Sequence, residues 1–489
     1  MLTNLPIGTQ TLVAQGVGYK PQEKAVKIEA GKSIEINFNI EEDIMHLDDV
    51  VVTGTRTFKR RTETPVIVNI PDNKSLDAVQ ACNISEGLRF QPGLRVETDC
   101  QTCSYTQLRM NGLGGGYSQI LINGRPVFSP LIGLYGMEQT TKNGAVFLQS
   151  DWKLSNALAL LTGIRADKHN LLNRIILSPM ASILYRLKEY TQFRLTWGTG
   201  FRAPQAFDTD MHIAFAGGGI SRISLDPHLK EERSNSFSGS VNYDKATEYF
   251  IYGFTMEGFY TKLNGTFHLQ PVGKDEFGEQ FKKQNGPGAT VKGITLEGRA
   301  NYSQKVQLEA GFTWQESHHS EAVENIGGLE AKREFLRTPN HYGYAILSFF
   351  PAKNLNVSIS GIHTGKMLLA KFSPNVTLQP NEYRTSPSFT EISAKGGYTF
   401  ELPFLYSGLE IFAGVKNLSC FGSLMNRSPL IVAQGIGSAV GQQININIFR
   451  IDEKSIVTGF PDNFFPLFAR DHLNGFQRLY AERLRRIIV

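Results

Sequence analysis

The sequence predicts an all-β protein whose larger part is an antiparallel β-barrel of the outer-membrane type. Three observations lead to this fold class. Strands of about ten residues alternate apolar and polar side chains, and the links between them are short at one end and long at the other. The apolar runs are only strand-sized, such as Ala157–Leu161 and Tyr344–Pro351, so a helical membrane protein is excluded.

Composition excludes several other classes. The chain has 489 residues and a formal net charge of +5, which is too mild a balance to indicate nucleic-acid binding. Hydrophobic residues make up 41%, so disorder is not expected, and charged residues make up only 19%. The 47 glycines fit a protein with many turns.

The start of the chain and its cysteines give little guidance. Residues 1–8 show no secretory signal, so either the chain is cytoplasmic or its true beginning is missing. Of the four cysteines only Cys100 and Cys103 are closely spaced. Two of the thiols of Cys82, Cys100 and Cys103 are expected to oxidise in an oxidising compartment, an interpretation favoured over metal binding.

Residues 1–43 are interpreted as the remnant of a small β-sandwich. Residues 33–40 alternate apolar and polar side chains with the period of a half-buried strand. Thr11–Lys20 and Lys24–Glu29 look like two more strands. Three strands bury little, so we expect the end of a sandwich whose first half is absent; the alternative is a self-sufficient meander.

Two further segments precede the barrel. Residues 44–61 form an acidic linker that runs into a short β-branched strand without an apolar partner nearby, the kind of strand that adds to the sheet edge of another protein. Residues 62–140 are a compact mixed segment. Within it the spacing predicts a helix over Ser75–Arg89 and strands at Gly93–Glu97 and Tyr117–Asn123, separated by the glycines at 114–116.

Residues 141–450 carry the barrel pattern. Phe193, Leu195 and Trp197 alternate with polar neighbours, and Val306–Gln315 repeats the pattern. Short links are expected near 154–156, 189–191, 244–248, 303–305, 351–354 and 401–407, and long links at 201–233, 263–289, 317–339, 366–387 and 419–441. This alternation is typical of periplasmic turns opposite extracellular loops. Aromatic residues near strand ends fit an interfacial girdle, namely Trp152, Trp197, Phe201, Tyr243, Tyr302 and Trp314.

A series of short stretches, taken in order, resembles one family over nearly all of residues 5–450. These stretches are Pro6–Gly8, Val17–Tyr19, Asp48–Thr57, Ser85–Leu88, Gln91–Val96, Leu108–Gly112, Ile122–Gly124, Gly200–Pro204, Leu229–Ser234, Val291–Ile294 and Gly414–Leu418. The chain resembles the TonB-dependent outer-membrane receptors that carry an N-terminal carboxypeptidase-regulatory-like domain. The implied fold is an incomplete barrel with a partial N-terminal plug and a sandwich remnant.

The resemblance also implies a location, a partner and a cargo. It places the chain in the outer membrane, in contact with lipid, and implies pairing of the linker strand with the energy-coupling protein TonB through Asp49, Val50, Val51, Val52 and Thr53. The implied cargo is a metal chelate of the siderophore, haem or cobalamin class. Plug apices would contact it through Gln101, Tyr105, Phe128, Ser129 and Tyr135.

Departures from the family pattern lead to a further expectation. The second half of the plug and several barrel strands are missing, and about 13 or 14 strands remain against the roughly 22 of plugged transporters. Residues 451–489 form an atypical basic tail in place of a closing strand. We therefore expect the chain as written not to transport. The alternative function is a non-transporting outer-membrane β-protein, either adhesive or structural, or an inert fragment.

No enzymatic site is predicted. The sequence lacks the common hydrolase, zinc-protease and P-loop motifs, and a carboxylate pair acting as a hydrolase is strongly disfavoured. No cofactor is expected. His318 and His319 are weak metal candidates in an expected extracellular loop, as are His212, His228 and His268, although solvated loop histidines are the favoured interpretation.

Overall fold

The architecture comes from a computed structural model of the chain. It describes residues 8–14, 22–28, 36–38, 50–52, 58–60, 64–71, 73–100, 105–122, 125–126, 142–188, 190–204, 222–247, 249–275, 278–325, 329–371, 381–402, 407–418 and 444–451.

The N-terminal segments form two small hairpins. Their strands are β1 (Gly8–Ala14), β2 (Gln22–Ile28), β3 (Val50–Val52) and β4 (Phe58–Arg60). β1 pairs with β2, and β3 pairs with β4, both antiparallel. The strand expected over residues 33–40 is not formed in its described part, because Ile36–Phe38 is irregular and lies beside Lys24, whose ammonium is 5.2 Å from the Phe38 ring.

The linker strand, expected to have no apolar partner nearby, pairs with β4 within the chain. Val51 lies opposite Lys59, and Val52 lies opposite Phe58. A β-branched run next to this segment can thus satisfy part of its backbone hydrogen bonding by antiparallel pairing.

The plug segment is small and mostly irregular. Its elements are α1 (Asn73–Ala78), α2 (Ile84–Leu88), β5 (Leu94–Cys100), β6 (Tyr105–Met110), a 3₁₀ turn (Gly115–Tyr117), β7 (Leu121–Ile122) and β8 (Arg125–Pro126). The single helix predicted over Ser75–Arg89 is wrong: Gln80 has a φ of 55°, which ends α1, and Asn83 caps α2 by accepting from the Glu86 amide at 3.0 Å. The strand expected at Tyr117–Asn123 is formed only at Leu121–Ile122, because a 3₁₀ turn takes its beginning.

The wall is one large antiparallel sheet. Its strands in chain order are β9 (Asn143–Lys153), β10 (Leu158–His169), β11 (Ile175–Lys188), β12 (Thr191–Arg202), β14 (Glu232–Ala246), β15 (Phe250–Asn264), β18 (Ala289–Tyr302), β19 (Val306–Asn325), β21 (His341–Ala352), β22 (Leu355–Thr364), β25 (Phe389–Leu402), β26 (Ser407–Val415) and β27 (Ile444–Ile451). Each pairs with the next in this list. Among the described residues, β9 and β27 are not paired with each other, so the sheet is not closed.

Six further strands lie within the long links between the wall strands. They are β13 (Arg222–Leu225), β16 (Phe267–Asp275), β17 (Gly278–Asn285), β20 (Leu329–Glu334), β23 (Leu368–Lys371) and β24 (Glu382–Thr385). β13, β16 and β17 form a separate sheet, β23 pairs with β24, and β20 pairs with the far end of β19. Where the structure describes them, several of the links expected as loops therefore contain β-strands.

The placement of short and long links is confirmed. The link after β14 and the link after β15 lie at opposite ends of the sheet, as antiparallel neighbours require. One link departs from strict alternation, since residues 170–174 join β10 to β11 at the long-link rim with only a short turn.

The two faces of the wall are inverted relative to a soluble sheet. On β12, Leu195 is 57% exposed on the outer face, while the neighbouring Arg194, which points inward, is 8% exposed. The inner face is lined by buried polar side chains such as Ser182, Ser240 and Thr313. An apolar outside and a polar inside are the arrangement of a sheet solvated by lipid.

Candidate functional site

The plug lies against the inner face of the wall. The Ser358 hydroxyl on β22 donates to the Ala78 carbonyl at 2.7 Å, and the Gln80 amide donates to the Ala394 carbonyl on β25 at 2.9 Å. Val79 packs into a buried cluster with Tyr344, Ile346 and Ile362. The left-handed turn at Gln80, which breaks the predicted helix, is thus what brings these groups to the wall.

Three ion pairs join the two short helices to β25 and β26. The Lys395 ammonium is 2.7 Å from Asp77, the Lys416 ammonium is 2.8 Å from Glu86, and Arg89 pairs with Glu391. Burial acts to raise the pKa of Glu86, but hydrogen bonds from Lys416 and from the Cys82 amide, together with nearby positive charge, lower it overall. Ion pairs between the plug and the wall therefore help to hold the plug in the lumen.

A basic cluster centres on one buried carboxylate. Glu97 on β5 is contacted by the guanidiniums of Arg95 at 2.7 Å, of Arg109 at 2.8 Å and of Arg337 at 3.5 Å. Arg95 and Arg109 come from the plug hairpin, whereas Arg337 comes from the barrel rim between β20 and β21. The three guanidiniums place several N–H donors around one carboxylate in a partly buried position, where charged groups interact more strongly than in bulk water.

Three members of this basic cluster, Arg95, Glu97 and Arg337, line a cavity between plug and wall. The cavity has a volume of about 540 Å³. Arg95 and Arg337 share its lining with Phe90, Tyr342 and Met367. Arg337 and Met367 belong to the rim of long links, so the cavity lies on the side of the plug that faces that rim. A concave site with apolar walls and a few charged groups is the usual form of a small-molecule site.

The chain enters the plug through a second contact with the wall. The Arg194 Nε donates to the Thr64 carbonyl at 3.0 Å, and the Ser182 hydroxyl donates to the Pro65 carbonyl at 2.8 Å. Arg194 is itself held by Asn242 at 2.7 Å and by Gln192 at 2.8 Å. We name Thr64, Pro65, Ser182 and Arg194 the entry clamp, because this is the first described contact with the wall after the linker.

The residues predicted for TonB contact and ligand binding are only partly described. Val50, Val51 and Val52 form β3, while Asp49 and Thr53 lie outside the described residues. Tyr105 begins β6. The other predicted ligand residues lie outside the described ranges, namely Gln101, Phe128, Ser129 and Tyr135.

One histidine differs from expectation, whereas the expected oxidation of two cysteines stays a prediction. Cys82 is a free, exposed thiol, and the side chains of Cys100 and Cys103 are not among those described. His319 lies on β19 with its ring 4.6 Å from that of Phe335, so it is not a solvated loop side chain. His318 instead lies 3.4 Å from Glu316. Within the described ranges, no three His, Cys, Asp or Glu side chains converge on a metal position.

Sequence reasoning missed the basic cluster. Its signal was present, because Arg95 and Glu97 are two residues apart on one strand and so share a face, and Arg109 lies on the paired strand opposite Arg95. The contribution of Arg337 could not be foreseen, since it comes from a segment more than two hundred residues away.

Comparisons with known proteins identify the family. The model of the TonB dependent receptor-like β-barrel matches residues 70–418, and the model of the CarboxypepD_reg-like domain matches residues 1–52. No curated protein matches the sequence. No helix among the described residues is both long and apolar enough to cross a membrane.

Several solved receptors show partial structural similarity to the chain. The siderophore receptor PirA from Acinetobacter baumannii matches with 14% identity over 57% of this chain and 41% of its own, at a TM-score of 0.42. A variant of the ferric enterobactin receptor PfeA from Pseudomonas aeruginosa matches with 17% identity over 57% and 39%, at a TM-score of 0.42. The FrpB iron transporter from Neisseria meningitidis matches with 16% identity over 57% and 41%, at a TM-score of 0.42. The chain thus spans about two fifths of the length of these receptors.

The barrel family model covers more than half of the chain, and the inverted faces of the wall agree with it. The chain therefore belongs to the TonB-dependent receptor family, whose β-barrel lies in the outer membrane, and it carries an N-terminal CarboxypepD_reg-like domain.

Proposed function

We propose that this chain is an outer-membrane receptor that binds an anionic metal chelate in the cavity beside Glu97 and is coupled to TonB through the β3 segment. The observation that carries the proposal is that the guanidiniums of Arg95 and Arg337, which meet at Glu97, line that cavity. The family is one of receptors and transporters, and we propose no reaction on the cargo.

The chemistry of the cavity favours anions. Arginine forks match the geometry of carboxylate and catecholate oxygens, and such charge-assisted hydrogen bonds are the strong ones. Phe90, Tyr342 and Met367 offer apolar surface to the organic part of a chelate. Because Arg337 comes from the rim and Arg95 from the plug, an anion between them would join the two parts.

The proposed cargo is an iron chelate of the siderophore or haem class. Among the solved receptors similar to this chain, PirA is a siderophore receptor and PfeA is a ferric enterobactin receptor. Catecholate siderophores are anionic, and haem carries two propionates, whereas cyanocobalamin has no net charge. The guanidiniums that line the cavity therefore favour the first two classes.

Coupling to TonB is proposed through β-augmentation. β3 is a short strand of three valines that pairs on one side with β4. An extended segment can gain main-chain hydrogen bonds from the sheet edge of a partner. A pull on this linker would reach the wall first at the entry clamp, where Thr64 is held by Arg194.

The competing function is a non-transporting outer-membrane β-protein, including an inert fragment of a receptor. It would keep the apolar outer face and need no ligand. Its distinguishing property is therefore the absence of charge-selective binding, whereas extraction from the membrane would be the same for both.

Binding of two iron chelates of different charge tests the proposal. The purified chain in detergent is titrated with a trianionic iron(III) tris-catecholate and with a neutral iron(III) tris-hydroxamate, following intrinsic fluorescence. We expect the catecholate to bind and Arg337→Gln to weaken it about tenfold, the usual effect of losing one charge-assisted contact. Arg186→Gln is the matched control, because the Arg186 guanidinium donates to the Asn156 carbonyl at the short-link rim, opposite the rim that carries Arg337. Equal affinity for both chelates, or no effect of Arg337→Gln, would contradict the proposal.

A further inference from the structure

Two histidines lie on neighbouring strands above the barrel rim. β19 pairs with β21 only as far as Trp314, and its remaining residues stand above the membrane-spanning part, with His319 opposite Ala289 of β18. β16, which carries His268, contacts β19. The topology therefore brings His268 and His319 to the same side of the rim.

Both imidazoles bury a nitrogen that has no hydrogen-bond partner. The Nδ1 atoms of His268 and His319 are enclosed and unsatisfied, whereas the His268 Nε2 lies 3.2 Å from the Gln284 side-chain nitrogen. A buried polar atom without a partner costs about 1–3 kcal/mol, so such atoms usually mark a bound water or ion.

Further unsatisfied atoms lie along the same face of β19. The Gln315 Oε1 and the Ser317 Oγ are also buried without partners, and Gln315 as a whole is only 7% exposed. Residues 315, 317 and 319 share one face of the strand because side chains alternate. This row of unpartnered groups points to a ligand rather than to a single misplaced side chain.

The protonation state of both rings suits a metal ligand. Burial, with the neighbouring His268 and His318 imidazoles, lowers the pKa of His319 to about 4, and burial lowers the pKa of His268. Both rings are therefore neutral at pH 7, and a neutral imidazole can offer a lone pair to a metal ion. His318 differs, because its Nδ1 faces Glu316.

We propose that His268 and His319 form a two-imidazole site for a divalent transition-metal ion of the zinc, nickel and copper class. Imidazole suits these ions, and the Gln284 amide, turned so that its oxygen accepts from the His268 Nε2–H, would hold that ring in place. No third His, Cys, Asp or Glu joins them among the described residues, so other positions fall to water and the ion stays exchangeable. The site is separate from the basic cavity and stands whether or not that cavity binds a chelate.

Metal titration of the whole chain tests this site. The purified chain in detergent is titrated with Ni²⁺ alone by calorimetry, and with Cu²⁺ alone by electron paramagnetic resonance. We expect about one ion per chain and splitting from coordinated imidazole nitrogens in the Cu²⁺ spectrum. His268→Asn and His319→Asn should each weaken Ni²⁺ binding at least about tenfold. His318→Asn is the matched control and should leave binding unchanged.

A second variant keeps the test decisive if the histidine variants fold poorly. A methyl group at Gly286 would lie 2.4 Å from the His268 Nδ1, so Gly286→Ala must displace the ring while keeping both imidazoles. We expect weaker Ni²⁺ binding in this variant as well. Absence of binding by the unaltered chain would mean that water fills these positions. Unchanged binding in both asparagine variants, or an equal loss in His318→Asn, would place the ion elsewhere; each of these results overturns the proposal.

Discussion

Single residues decide the charge of the lumen. Glu97 is the one carboxylate that the three guanidiniums of the basic cluster share, and it is buried. Removing one member of a buried ion network takes an opposite charge away from its partners. The resulting loss of folding free energy exceeds the net stabilisation that the whole network provides. Glu97 is therefore expected to hold the plug hairpin together, whereas Arg337 is expected to serve binding.

Glu97→Gln tests this division of roles. The variant should destabilise the plug hairpin by about 3–5 kcal/mol, because Arg95 and Arg109 lose their counter-charge. Hydrogen exchange of the β5 and β6 amides should become faster while exchange in β11 stays unchanged. Glu330→Gln is the control, since that side chain is largely exposed. Unchanged protection of β5 and β6 would refute the role given to Glu97.

The Glu86–Lys416 pair predicts an acid-sensitive contact. The folded-state pKa of Glu86 lies below its ordinary value of 4.5, so the unfolded state binds the extra proton first. The stabilisation is thus fully present above pH 4.5 and is lost as the pH falls through the lower, folded-state pKa. Protection factors of the α2 amides, which correct for the pH dependence of intrinsic exchange, should fall only below about pH 4.5, and Glu86→Gln should remove this dependence. A loss of protection that survives in Glu86→Gln would assign it to another group.

At the scale of elements, the sequence predicted the strands with regular alternation. It did not predict the elements whose form depends on contacts with residues far away in the chain. Long alternating strands and the end at which each link lies follow from a period of two, so β12, β18 and β19 could be foreseen. The two-helix form of the plug could not, because the break at Gln80 is held by Ala394 on β25. The basic cluster was missed for the same reason, as it needs Arg337 from the rim.

The entry clamp predicts a local effect of Arg194. Arg194→Gln removes the bond to the Thr64 carbonyl and loosens the chain where it enters the plug. Amides of residues 66–70 should exchange about tenfold faster, corresponding to about 1.4 kcal/mol. Arg186→Gln is the control, because the Arg186 guanidinium donates to the Asn156 carbonyl in an exposed turn away from Thr64. Equal hydrogen-exchange protection in Arg194→Gln and Arg186→Gln would show that the entry clamp does not stabilise this segment.

The linker strand predicts that pairing with TonB depends on the backbone N–H of Val51. Val51→Pro removes an N–H and fixes φ, so it should abolish pairing with a periplasmic TonB domain. Val51→Thr retains the N–H and the β-branched shape and should bind normally. Val51 also lies opposite Lys59, so the Val51→Pro change could disturb the pairing of β3 with β4. Hydrogen exchange of the β4 amides in Val51→Pro measures whether this pairing is kept. Unchanged TonB binding in Val51→Pro would remove β3 from the proposed coupling.

At the scale of the whole molecule, the wall is a membrane sheet with an open seam in its described part. β9 and β27 run in the same direction, since the strands between them alternate, so they could not close antiparallel on each other. An unpaired backbone edge in lipid costs several kcal/mol for each group. The expectation that the chain does not transport rests on this seam and on the short plug, and it stays a prediction.

Labelling of single cysteines tests the orientation of the wall in a background without the native cysteines. In outer-membrane vesicles, Leu195→Cys should resist a water-soluble maleimide, because its side chain points into lipid. Glu330→Cys on the exposed rim strand should react fully. Rapid labelling of both positions would mean that the outer face is not in the membrane.

The central claim is that an anionic metal chelate binds in the cavity between plug and wall. Anomalous diffraction at the iron edge, from crystals of the whole chain grown with iron(III) tris-catecholate, locates the metal directly. The account predicts an iron peak in the cavity bounded by Arg95, Arg337 and Met367, and its loss in Arg337→Gln. An iron peak elsewhere on the molecule, or none at saturating chelate, would contradict it.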